Sequence, residues 1–435
     1  MRLWCELAWL GGASASAGVV LEVDGGQVVG VEVGVAAAAV PDAVALPGLT
    51  LPGLANAHSH AFQRALRGRT HGGTGSFWTW REQMYALASG IDPEGYLGLA
   101  RATFGEMALA GITLVGEFHY LHHDVGGRAF ADPNAFGSAV IQAAGEAGVR
   151  LTLLDTCYLE GGLDRFRDVN VDAWVARVDG LAGGPLVRVG AAIHSVRAVD
   201  ATSAAVVAEW AAARGAPLHA HVSEQPLENE ECVTRYGATP SAVLADAGAV
   251  GPRFTAVHAT HLTPADVMLL GAAGATCCLC PTTERDLADG IGGAAALSAA
   301  GAGLAVGSDS QSVIDLLEEA RAIELDERLA TGVRGSHDAA ALLGAATAGG
   351  YASLGWPDGG RIAVGALADL TTVSLDSVRL AGTRPADAVA ATVFAGTAAD
   401  VRDVMVGGRW IVRDGTHVDL DVRAELQRAL AAVAS

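Results

Sequence analysis

From residue 51 to about residue 308 the sequence repeats one unit, a short apolar run of strand length followed by a longer alanine-rich stretch of helical character. Eight such runs can be read, at 51–58, 112–118, 150–156, 187–194, 217–222, 254–259, 275–280 and 303–308. Near-continuous apolar runs are what parallel strands need when both faces of their sheet are covered by helices. Strand then helix, eight times over, leads to an α/β chain folded as a closed (β/α)8, TIM-like barrel. An open doubly wound sheet is disfavoured, since no GxGxxG fingerprint follows an early strand.

Both chain ends read differently. Residues 19–23 and 28–33 form short apolar runs on either side of Asp24-Gly25-Gly26, which is hairpin material. Strand-like sequence returns at 361–370 and again at 401–412. A small β-sandwich domain built from residues 1–50 and 359–435 is therefore expected beside a barrel of residues 51–358. A chain of 435 residues has room for both, since a barrel takes roughly 250 residues or more.

An apolar content of 51% against 17% charged residues supplies a large core, yet no window reaches the ~18 uninterrupted apolar residues of a membrane span. Glu6 stands where a secretory leader runs apolar, and no small-residue cleavage site follows. The expectation is a soluble, cytoplasmic protein with no membrane partner. Cys5, Cys157, Cys232, Cys277, Cys278 and Cys280 are too few and too irregular for a disulfide framework. Three crowd into Cys277-Cys278-Leu279-Cys280, but strand neighbours point to opposite faces, so a buried small-residue strand is the better reading than a metal site. A net charge of −20 argues against nucleic acid. It leaves room for an acidic substrate met by a local arginine cluster. All 28 basic residues are arginine. Schiff-base catalysis, a P-loop lysine and a lysine-bridged two-metal centre are thereby excluded.

His58-Ser59-His60 closes the first run. Residues i and i+2 of a strand share a face, so both imidazoles can converge on one ion at the C-terminal mouth, where barrels keep their active sites. The fifth run ends in His219-Ala220-His221-Val222-Ser223-Glu224, adding an imidazole at His221 and a carboxylate three residues on. The eighth leads into Gly307-Ser308-Asp309. His58, His60, His221 and Asp309 make a nitrogen and oxygen donor set of the kind catalytic zinc uses. Taken singly, His219 also reads as a satisfied core histidine and Asp309 as a helix N-cap. Four such residues at the ends of strands one, five and eight favour the metal. His258, in the sixth run, faces the same mouth as a ligand or as a residue that orients water.

Leu51-Pro52-Gly53 followed by HxH, His221-x-x-Glu224, His258 and Gly307-Ser308-Asp309 together resemble the deaminase branch of the amidohydrolase superfamily, over almost the whole chain. Longer segments are similar to the formimidoylglutamate deiminase family: His58-Ser59-His60-Ala61-Phe62-Gln63-Arg64-Ala65, Trp80-Arg81-Glu82-Gln83-Met84-Tyr85, Gly116-Glu117-Phe118-His119-Tyr120-Leu121-His122-His123, Ile193-His194-Ser195-Val196-Arg197 and Cys280-Pro281-Thr282-Thr283-Glu284. The resemblance implies a barrel of the amidohydrolase type with one Zn2+ per subunit, or another divalent ion, on His58, His60, His221 and Asp309. It implies a catalytic set of Glu224 as proton shuttle, His258 as water-orienting residue and Asp309, with substrate contacts from Gln63, Arg81, Tyr120, His194 and Arg197. The reaction implied is hydrolysis of N-formimino-L-glutamate to N-formyl-L-glutamate and ammonia, in histidine degradation. A homodimer is expected by fold-level analogy. Arg285-Asp286 departs from the family pattern, which has a small residue and an asparagine there.

Charge gives an independent argument. Guanidinium forks suit carboxylates, and Arg81, in the first βα segment, and Arg197, three residues past the fourth run, are spaced to meet a dicarboxylate. Two rival readings stand. Deamination of an aromatic base or ring amidine such as guanine would use the same zinc apparatus with Trp78 and Trp80 as stacking surfaces, against the arginine placement. A catalytically silent metal-binding scaffold would have no need of Glu224.

Overall fold

The computed structural model describes residues 1–72 and 74–433. The chain opens with β1 (Arg2–Ala8), β2 (Ser16–Asp24), β3 (Gln27–Glu32) and β4 (Val44–Pro52). The expected hairpin forms, with β2 and β3 antiparallel from Val20↔Glu32 to Asp24↔Gln27. Then come β5 (Leu54–Ser59), β6 (Ile112–His119), β7 (Arg150–Cys157), β8 (Val187–Ile193), β9 (Leu218–Val222), β10 (Phe254–His258), β11 (Thr276–Leu279) and β12 (Gly303–Val306). These eight pair in sequence order as one sheet, and a parallel bridge from Ser59 to Asp309 brings the last strand back to the first. The (β/α)8 barrel read from the eight runs is the fold.

Closure demands a close approach. A Cβ at Gly307 would lie 2.7 Å from the carbonyl oxygen of His58 and 2.9 Å from its nitrogen, so the first and last strands can meet only at a residue without one. Helices cover the outside. The helix Ala201–Arg214 after β8, for example, starts where the Asp200 side chain accepts from the amides of Thr202 and Ser203, a cap worth about 1 kcal/mol.

The chain ends complete a second, mixed sheet with β13 (Leu370–Val373), β14 (Val401–Val406), β15 (Arg409–Arg413) and β16 (Thr416–His417), in the order β16-β15-β14-β13-β4-β1-β2-β3. It encloses a small core of its own that includes Leu3, Val19, Val28, Leu46, Leu370 and Met405. Arg150 ties this sheet to the barrel through paired bonds to the Asp369 carboxylate at 2.6 and 3.1 Å, to which Tyr351 also donates at 2.7 Å.

Two strand readings are corrected. Leu51 and Pro52 are not part of barrel strand one; they end β4 and pair with Thr371 and Leu370 of β13. The apolar run passes through the change of sheet because both sides of it are buried. Residues 361–369 hold a single bridge, Gln27 to Leu367, because Gly365 at φ +85° turns the backbone out of the extended region. The cysteine run behaves as alternation requires: Cys277 joins the main core, whereas Cys278 and Cys280 turn towards Ala57, Val257 and Ala305. No helix among the described residues is long and apolar enough to cross a membrane.

Candidate active site

At the C-terminal mouth of the barrel, His58 Nε2 and His60 Nε2 lie 3.2 and 3.4 Å from Asp309 Oδ1. His221 Nε2 lies 3.2 Å from His58 Nε2. His60 Nδ1 is 2.9 Å from the carbonyl of Phe118, and His221 Nδ1 is 3.0 Å from that of His194. A carbonyl only accepts, so both rings carry their proton on Nδ1 and turn an Nε2 lone pair to the centre. Burial, with the neighbouring imidazoles, holds His58 and His221 well below the usual histidine pKa, and lowers His60 to about 3. Neutral imidazoles converging with one carboxylate are the donor chemistry of a divalent zinc site. His58, His221 and His258 form an overlapping triad with ligand atoms within 4.8 Å of one another.

The local backbone aims these groups. Ser223 (φ +53°), His258 (φ +68°) and Asp309 (φ +42°) all adopt left-handed conformations at or just past strand ends. Each costs of order 1–3 kcal/mol for a residue with a side chain, a strain typical of functional positions. Glu117 accepts from Ser59 Oγ at 2.7 Å and from the Ala61 amide at 2.7 Å, bracketing His60.

Around this centre lies a ring of carboxylates. Glu224 Oε1 stands 3.8 Å from His258 Nε2, and Glu224 Oε2 accepts from Arg197 Nη2 at 2.8 Å. Glu228, fully buried, accepts the Glu224 amide at 3.1 Å and lies 3.9 Å from Arg197. Glu284 Oε1 faces His258 Nδ1 at 3.4 Å, and Asp309 Oδ2 faces His258 Nε2 at 3.9 Å. Burial alone would lower the His258 pKa, but the bond to Glu284 and the charges of Glu224, Asp309 and Glu284 outweigh it and push the imidazole up to about 10.

A cavity opens over the centre, with Gln63, Arg81, Tyr120, His194 and Arg197 all in its wall beside His60, His221, Glu224, His258 and Asp309. The Gln63 amide donates to Tyr120 Oη at 2.9 Å, and its Oε1 is buried without a partner. Arg197 spends Nε on Ser195 Oγ and Nη2 on Glu224. Arg81 is different. Its guanidinium stacks 4.4 Å from Trp78 and 5.5 Å from Tyr85, its Nε is buried without a partner, and no carboxylate pairs with it among the described residues. Trp78 therefore serves as a platform for Arg81, while Trp80 lines the cavity. His219 sits apart from the centre with Nε2 3.0 Å from the Ser353 carbonyl.

The sequence reading gave no role to Glu117, Glu228 or Glu284. Glu228 is signalled only by its place four residues after Glu224, and the other two by the runs around them. The divergent Arg285 and Asp286 point away, pairing with Asp326 at 3.2 Å and His71 at 2.6 Å.

The amidohydrolase family model matches residues 49–411. The chain belongs to the amidohydrolase family. Membership makes it a hydrolase acting on carbon–nitrogen bonds, and the relatives narrow this to deaminases. Formimidoylglutamate deiminase of Pseudomonas aeruginosa is 39% identical over 411 residues, 88% of this chain and 90% of that protein. Among solved amidohydrolase folds, an amidohydrolase from Brucella melitensis is 32% identical with a TM-score of 0.91, each chain covered in full. An adenosine deaminase from Xanthomonas campestris with bound zinc is 25% identical with a TM-score of 0.87, covering 99% of this chain and 97% of its own.

Proposed function

We propose that this amidohydrolase adds water to the formimino carbon of N-formimino-L-glutamate, giving N-formyl-L-glutamate and ammonia, with one zinc ion per subunit held by His58, His60, His221 and Asp309. The observation that carries the substrate assignment is Arg81: a guanidinium in the cavity wall that pairs with no carboxylate among the described residues, its Nε buried without a partner. A carboxylate of the substrate supplies that partner, as a two-point, charge-assisted contact. The unpartnered Oε1 of Gln63 suits an N–H of the amidine. Arg197, in the same wall, has Nε and Nη2 engaged by Ser195 and Glu224.

Zinc, when bound, supplies the Lewis acidity that makes water nucleophilic near neutral pH. Glu224 takes the proton of the attacking water and delivers it to the departing nitrogen. His258, 3.8 Å from Glu224 and 3.9 Å from Asp309, orients the water and meets the charge that develops at the reacting carbon. A C–O bond forms, the C–N bond to the terminal nitrogen breaks, and ammonia leaves. The similarity to the Pseudomonas aeruginosa deiminase supports the same reading. A place in histidine degradation goes with that reading. Six free, buried cysteines suit a reducing cytoplasm.

A second reading, deamination of an aromatic ring amine, draws on Phe77 and Trp80 in the cavity wall. The lone Arg81 argues against it. Ammonia release by zinc-loaded protein given N-formimino-L-glutamate, N-formimino-L-aspartate or guanine separates the two. Turnover of the glutamate compound is expected; turnover of guanine alone would replace the substrate assignment and keep the metal site.

A further inference from the structure

Glu284 closes the Pro-Thr-Thr-Glu run, whose purpose the reaction above leaves unexplained. It lies on the short helix Pro281–Asp286 after β11. That helix is pinned on two sides. The Thr282 amide donates to Glu319 Oε2 at 3.0 Å, and Thr283 Oγ1 lies 3.1 Å from Ser310 Oγ, next to Asp309. So held, Glu284 Oε1 accepts from the Cys280 amide at 2.8 Å and faces His258 Nδ1 at 3.4 Å. Glu284 is 5% exposed, and among the described residues its one ionic partner is His258.

We infer that Glu284 is a positioning residue for the hydrolytic step, holding the His258 ring by Nδ1 so that Nε2 stays turned to Glu224 and Asp309. The inference rests on the proposed part of His258 in hydrolysis. His258 ends its strand paired with Val222, on a left-handed backbone at φ +68°, and main-chain pairing leaves the ring free to rotate about χ2. Glu284 fixes it, because an imidazole flipped by 180° would set a carbon against the carboxylate in place of the N–H. The short helix thus converts the strand-eight loop, through Ser310 and Thr283, into a support for a strand-six histidine.

The test compares zinc-loaded wild type, Glu284→Ala, Glu284→Gln, His258→Ala and the Glu284→Ala/His258→Ala double variant, with zinc content and melting temperature as controls. Glu284→Ala should keep its zinc and its KM while kcat falls roughly 10–100-fold, the usual cost of removing a histidine-orienting carboxylate. Glu284→Gln should recover most of that loss, because its amide oxygen can still accept from both Cys280 and His258. In the His258→Ala background, Glu284→Ala should cost nothing further. A kcat of Glu284→Ala at the wild-type level, or an equal fall in the His258→Ala background, would overturn the inference. Nitrogen-15 histidine spectra give a substrate-free readout: a hydrogen-bonded Nδ1–H signal of His258 should appear in wild type and Glu284→Gln and vanish in Glu284→Ala, and its persistence there would equally overturn it. If wild type releases no ammonia from N-formimino-L-glutamate, the substrate reading falls by itself and the spectra still decide on Glu284.

Discussion

The backbone amide of Asp309 donates to the carbonyl oxygen of His58 at 3.0 Å, and the amide of His60 donates to the carbonyl of Asp309 at 3.1 Å. The last barrel strand and the first therefore present their donor side chains in register through main-chain bonds. Side chains then lock the seam. Asn56 Nδ2 donates to Ser308 Oγ at 2.7 Å, Ser308 Oγ to Gln311 Oε1 at 2.7 Å, and Gln311 Nε2 to Ser59 Oγ at 2.9 Å.

Breaking that lock should cost stability and zinc together. Asn56→Ala leaves the buried Ser308 amide without its acceptor at 2.9 Å, a loss of about 1–3 kcal/mol. Urea unfolding of the metal-free protein measures the first effect and competitive zinc titration the second. An unchanged midpoint would mean the main-chain bonds close the seam unaided.

Glu224→Gln is nearly isosteric but cannot take a proton from water. It should bind zinc as the wild type does and lose roughly 100–10,000-fold in kcat. Metal analysis beside ammonia release separates this from a folding defect; full activity would remove Glu224 from its assigned role.

Arg81→Leu removes the cavity guanidinium that has no carboxylate partner among the described residues. A charge-assisted contact is worth about 1.5–3 kcal/mol, so kcat/KM for N-formimino-L-glutamate should fall roughly 10–150-fold, mostly through KM. An unchanged KM would send the search for the carboxylate contact to Arg197.

Zinc at a hundredfold excess over its Kd should stabilise the folded chain by about 2.7 kcal/mol. Chelation should therefore lower the melting temperature, with recovery on adding zinc back. Calorimetry before and after treatment checks it, and His60→Ala should be insensitive to both.

Acid should weaken the buried cluster of Arg177 with Asp155 and Asp168. Burial alone would raise the Asp168 pKa, but hydrogen bonds from His123 and Arg177, with the Arg177 charge, hold it well below the usual carboxylate value. A lowered carboxylate stabilises the fold fully above its unfolded pKa of about 3.9, and that contribution drains away as pH falls below it. Arg177→Met leaves Asp155 and Asp168 buried without the guanidinium that now bonds them at 2.6 and 2.8 Å, at about 3–5 kcal/mol. Chemical unfolding between pH 7 and pH 3 follows both effects.

Much of this was legible in the residues. The eight runs mark the barrel strands because most are buried on both faces, β5, β6, β7, β9 and β10 along their whole length, a pattern that needs no partner to be seen. His58, His60, His221 and Asp309 stand at strand ends, where position along the chain already fixes position in the barrel. The change of sheet at Gly53 was not legible, since Leu51 and Leu54 are equally buried on either side of it. Nor were the bonds of Glu228 and Glu284, because each depends on how a helix start folds back over a strand end. Arg81 was half legible: the sequence offered a cation, but only the fold says that no carboxylate among the described residues pairs with it.

The seam between β5 and β12 has a consequence for synthesis. Asn56 and Ser308 are 252 positions apart, so a ribosome must deliver nearly the whole barrel before the first strand meets the last. Until then His58 and His60 lack the aspartate that completes the proposed donor set, and a nascent chain carries only its histidines. Such long-range closure is entropically slow. The complete donor set is thereby assembled only when the barrel shuts.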